Sequence, residues 1–119
     1  SLTNQEIRIG LGDTQDDVEQ HVMFKIINGT IYGSVADDYT TETIVNFGSI
    51  SQTWHSLEIK VIAGVSAKFF IDNISLGTIT TNLPSGTGWS GVLLYCSIQT
   101  TTTAAKSFNL FAWEFWQAN

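Results

Sequence analysis

Leu57, Ile59 and Val61 alternate with Ser56, Glu58 and Lys60, the period-two pattern of a strand with one face in a core and the other in water. A helix built from the same residues would scatter its apolar side chains around the cylinder, and Val and Ile favour a pleated surface. After Ala63-Gly64 a second alternating run, Ala67-Lys68-Phe69-Phe70-Ile71-Asp72, leads into Asp72-Asn73, a pair whose side chains tolerate the positive φ of a tight hairpin. A third run from Ile74 to Thr81 completes a three-stranded antiparallel meander. Pro84 is expected to end it by removing a ladder donor.

The rest of the chain has the same grain. Glu6 to Leu11 alternates cleanly, and Val22 to Ile27, Asn28-Gly29 and Ile31 to Val35 form a strand, a type I′ turn and a partner strand. Thr43 to Phe47 is a weaker strand, and Val92 to Thr100 a stronger one. Ser107 to Trp116 is apolar on both faces, which places it inside a sheet or at a subunit contact. No amphipathic helix is evident. Roughly eight or nine short strands with frequent turn signals predict an all-β, two-sheet antiparallel sandwich, in one domain over residues 1–119.

The order Trp54, Leu57-Glu58-Ile59-Lys60-Val61, a glycine turn, Phe69-Phe70-Ile71-Asp72-Asn73, then Gly77-Thr78 and Leu83-Pro84 resembles concanavalin A-like and laminin G-like jelly-roll domains. Those read T-W-x-x-L-x-I, then F-x-I-D-G, then L-P before a final pair of strands. Asn73 stands where that family has glycine. The resemblance runs from about Ile7 to Phe115 and implies a jelly roll of the lectin/glucanase type lacking some N-terminal strands: either the domain is minimal, or upstream sequence or a neighbouring subunit supplies them. Its motifs are structural and name no ligand.

Composition narrows the function classes. The net charge is −6, from 11 acids against 5 bases, yet charged residues make up only 13% of the chain. A surface kept soluble by Thr, Ser, Asn and Gln suits an extracellular or virion protein. It also argues against nucleic acid, because phosphate binding needs clustered cations and Arg8, Lys25, Lys60, Lys68 and Lys106 are scattered. No apolar run reaches the roughly 20 residues of a membrane helix, so no membrane insertion is expected. Ser1 to Gln5 lacks the basic start and apolar middle of a signal peptide; an exported form would have lost its signal or would ride on a larger protein. Cys96, the single cysteine, lies in an apolar run and reads as a small buried hydrophobe.

Glucanase relatives of the fold carry E-x-D-x-x-E on one strand, because glycoside hydrolysis needs two carboxylates about 5–10 Å apart. That motif is missing, and Glu58 and Glu114 stand singly. His21 and His55 have no recognisable serine or cysteine partner by motif and read as ordinary strand residues, so no enzyme is expected. Asp13, Asp16, Asp17 and Glu19 crowd one loop and are the candidate oxygen ligands for calcium, though a solvated acidic loop explains them better; no other cofactor is expected. Glycan binding is what the resembling scaffold most often does. Trp89 in a glycine-rich loop, and Tyr39 beside Asp37 and Asp38, are the candidate ligand residues, since sugar faces stack on aromatic rings while hydroxyls pair with polar groups; Trp89 packing across the end of the sandwich as a lid on the core accounts for it equally well. Trp54, Trp113 and Trp116 are assigned to core or interface. The expected partner is carbohydrate, such as a host-surface glycan, within a homo-oligomer or larger assembly. The alternative is a structural or oligomerisation domain with no glycan ligand. The sequons at Asn28 and Asn73 coincide with turn positions.

Overall fold

Asn28 and Gly29 both take positive φ, 50° and 83°, and so do Asp72 and Asn73, 49° and 65°, as type I′ hairpins require. Each turn fixes a register. The computed structural model describes residues 2–12, 20–37, 41–84, 93–100, 102–103, 105–107 and 109–110. Among these lie eight strands: β1 (Gln5–Gly12), β2 (His21–Ile27), β3 (Thr30–Ala36), β4 (Glu42–Ser49), β5 (Leu57–Ile62), β6 (Ser66–Ile71), β7 (Ile74–Ile79) and β8 (Leu93–Thr100).

They form two antiparallel sheets. One has five strands in the order β4-β3-β2-β1-β8 and the other three, in the order β5-β6-β7. The architecture is all-β and compatible with a sandwich, and no helix occurs among the described residues. Two or three residues join β2 to β3, β5 to β6 and β6 to β7, whereas β8 returns from far along the chain to pair with β1.

The sheets share one core. Phe24 of β2 meets Phe69 of β6 edge to face, with centroids 5.1 Å apart, and Phe47 of β4 lies 5.5 Å from the same ring. Phe69 is fully buried, which stabilises the fold by about 2–3 kcal/mol relative to exposure. Gly33 makes room for this cluster: a Cβ there would sit 2.6 Å from the Phe47 ring. Phe47 reaches inward through a bulge. Thr30 pairs with Ser49 but Tyr32 with Asn46, so Phe47 and Gly48 together oppose Ile31, and Gly48 adopts φ 104°, a conformation that glycine takes without a Cβ clash. Leu57, Ile59 and Val61 pack against the core, as their alternation predicts.

β2 is buried on both sides. Val22, Phe24 and Ile26 face the three-stranded sheet, while His21, Met23 and Lys25 point the other way and are also buried. No membrane-length apolar helix occurs among the described residues.

Four expectations need correction. β7 ends at Ile79, well before Pro84, so the proline does not terminate the ladder. Instead it is fully buried and its carbonyl accepts a hydrogen bond from the Gly64 amide at 3.2 Å. Trp54, assigned to a core or interface, is 69% exposed and so lies outside the core of this chain, because it precedes β5 in a segment that no strand pairing draws inward. His55 lies in that same segment and not in a strand. Of the expected last strand, Ser107, Asn109 and Leu110 fall outside any strand, and Phe108, Trp113 and Trp116 lie outside the described residues.

Candidate functional site

Each histidine meets a serine and a carboxylate, in two places and with two wirings. On the β2–β3 hairpin His21 pairs with Ala36, which sets it diagonally beside Ser34 on the face turned away from the three-stranded sheet. β4 then brings Glu42 opposite Ala36. His21 Nε2 lies 2.7 Å from Ser34 Oγ, Ser34 Oγ donates to Glu42 Oε1 at 2.5 Å, and Lys25 Nζ donates to the same oxygen at 2.7 Å.

Burial pushes the Glu42 carboxyl up, but hydrogen bonds from Lys25 and Ser34, with the nearby charges of Lys25 and His21, outweigh it and hold the pKa below the ordinary value. Glu42 is therefore an anion and only accepts. Ser34 gives it its one hydrogen, so Nε2 of His21 must be the donor toward Ser34. Serine, not histidine, is the bridge. With Ser34 at 0% exposure and its proton committed to Glu42, the arrangement is not that of an activated nucleophile.

The second cluster is on the surface. Asp72, in the β6–β7 turn, accepts from the Ser56 amide at 2.9 Å and from His55 Nδ1 at 2.8 Å. His55 Nε2 in turn lies 3.1 Å from Ser51 Oγ, 3.2 Å from Thr53 Oγ1 and 3.0 Å from the Ser51 carbonyl oxygen. The connectivity of aspartate, histidine and serine matches a hydrolytic triad. The carbonyl decides against that chemistry. A carboxylate and a carbonyl can only accept, so the arrangement favours the doubly protonated ring, which has no lone pair for a serine proton. The hydrogen bond to Asp72 accordingly raises the His55 pKa, against burial and helped by the Ser51 carbonyl and the Asp72 charge. Asp72 is lowered, first by the His55 hydrogen bond and then by the Ser56 amide. The pair is a clasp that fastens the 51–56 segment, with Trp54 on it, to the β6–β7 turn.

Of the residues expected to touch a sugar, Trp89, Tyr39 and Asp38 lie outside the described residues, as do the calcium candidates Asp13, Asp16, Asp17 and Glu19. Asp37 is described. Its carbonyl accepts from Gln20 Nε2 at 3.0 Å, and its Oδ1 is buried without a hydrogen-bond partner. The β1–β2 and β3–β4 connections leave from one end of the sheet, since Gly12, His21, Ala36 and Glu42 form one row. Among the described residues no three His, Cys, Asp or Glu side chains could hold a metal. Cys96, expected to be buried, is only partly buried; that burial raises its pKa, which favours the protonated thiol over the thiolate.

Sequence reasoning missed Ser34, Glu42, Ser51 and Asp72 as partners of the two histidines. The signal for Ser34 was present: a two-residue turn at Asn28-Gly29 fixes which side chains share a face. The chain matches no family model, no curated protein and no solved structure.

Proposed function

We propose that this domain is a non-catalytic recognition module of the concanavalin A-like jelly-roll type, which binds surface carbohydrate as part of a virion or a secreted protein. The observation that carries the reading is Trp54, an indole 69% exposed on a segment that the His55–Asp72 clasp holds in place. A large exposed ring is costly to leave in water and useful as a stacking platform, and a pre-positioned one loses little entropy on binding. The doubly protonated ring favoured at His55 and the buried, proton-committed Ser34 support a non-catalytic role.

A glycan array followed by titration against the intrinsic tryptophan fluorescence tests it. The expected result is binding that Trp54→Ala or Trp89→Ala weakens at least about tenfold. Absence of binding across the array would remove the reading.

The second reading, a structural or oligomerisation domain, is favoured by Ile44 and Val45, both exposed on edge strand β4. A mass by light scattering that corresponds to one stable oligomer, broken by Ile44→Lys, would support it.

A further inference from the structure

We propose that the solvent face of the three-stranded sheet binds acidic carbohydrate, with Lys60 and Lys68 as paired cations and Phe70 as the apolar floor. The inference rests on the recognition reading and supplies its ligand class. Lys60 and Lys68 stand directly opposite each other across β5 and β6, an arrangement that costs stability when nothing neutralises it. It is the more notable in a chain of net charge −6, where acids outnumber bases and a cation has many available partners.

Lys25 and Arg8 have such partners in Glu42 and Glu6. Lys60 makes a long, exposed ion pair with Glu58 at 3.9 Å, the two side chains 60% and 45% exposed, and Lys68 has no ion pair among the described residues. The Lys60 ammonium lies 5.0 Å from the centre of the Phe70 ring, close enough for a cation–π contact that holds it over the sheet. Beside the lysines, Thr78 pairs with Lys68 and Ser75 with Phe70, so two exposed hydroxyls complete the rows.

Neighbouring strands are about 4.8 Å apart, so one carboxylate or sulfate group reaches both ammonium groups while sugar hydroxyls reach Thr78 and Ser75. A polyphosphate backbone fits badly, since two cations on an acidic protein release few counterions. Glu58 opposes Phe70 on the same face and repels a second acid group. The surface therefore selects a sugar whose charges are spaced apart.

The test is an NMR titration of the protein with three probes: an oligogalacturonate, a sulfated chondroitin oligosaccharide and a neutral malto-oligosaccharide, at low and high salt. Binding of either acidic probe, with shifts at Lys60, Lys68 and Phe70 and loss at high salt, is the expected result, and which one binds identifies the acid group. Lys68→Gln weakens that binding roughly tenfold while leaving thermal stability unchanged or higher, because the opposed charges are relieved; Glu58→Gln tightens it. Equal binding of the neutral probe, or indifference to Lys68→Gln, overturns the inference and leaves the recognition reading standing. Binding of none of the three overturns the inference, and the glycan array then decides the recognition reading separately.

Discussion

His21 and His55 are surrounded by the same kinds of residue and do opposite things. Around His21 the serine is central, the carboxylate is shared with Lys25, and the group is largely buried, with His21 at 2%, Lys25 at 4% and Glu42 at 22% exposure. Around His55 the imidazole is central and the group sits at the surface, the ring 16% exposed and Asp72 50% exposed. Residue inventory is thus a poor guide to chemistry. Which atom bridges, and how far water is excluded, decides whether such a cluster braces a sheet or fastens a loop.

The sharpest way to separate the two is to remove each acid. Glu42→Ala takes the carboxylate from beside Lys25, whose side chain is 4% exposed. Breaking a buried pair on one side should cost about 3 kcal/mol in urea unfolding. The double change Lys25→Met with Glu42→Leu should recover much of that loss, since an apolar pair of similar volume avoids the desolvation penalty. Ser34→Ala removes one donor and one acceptor and should cost about 1–3 kcal/mol, with the His21 ring signals shifted in NMR.

The His55 clasp should give the smallest effect, visible only as a pH dependence. The His55 pKa is raised on folding, so its contribution is complete below the ordinary histidine pKa and fades as pH rises through the raised value. The Asp72 pKa is lowered, so its contribution is present above the ordinary aspartate pKa and fades as pH falls through the lowered one. Melting curves of the protein and of His55→Gln should therefore differ most between about pH 4 and 6.5 and converge on either side. Equal separation at pH 9 would mean that His55 acts through packing and not through charge.

How much of this could be read from residues alone follows the turns. Asn28-Gly29 and Asp72-Asn73 declare their hairpins, and with them the inward faces of β2, β3, β6 and β7. The β3–β4 connection has no two-residue turn, and the bulge at Phe47-Gly48 shifts the pairing, so Glu42 could not be aligned with Ser34 beforehand. Asp72 was legible as a turn former. Its second task, gripping Ser56 and His55, depends on the β5–β6 pairing that brings the turn back beside residue 56. Trp54 stands just ahead of the alternating run, which starts at Ser56-Leu57 as β5 does, so the period-two pattern does not fix which way its ring points.

The seating of β8 against β1 has a consequence for how the chain acquires its shape. Gly12 pairs with Leu93 and Gln5 with Thr100, so residues 13–92 must be made before the first strand meets its last neighbour. During synthesis the outer edge of β1 is an open template for most of that interval, and pairings so distant in sequence form slowly. A nascent copy on an adjacent ribosome could offer the same β8 segment to that edge, which makes crowded translation the condition under which this protein is most exposed to strand exchange.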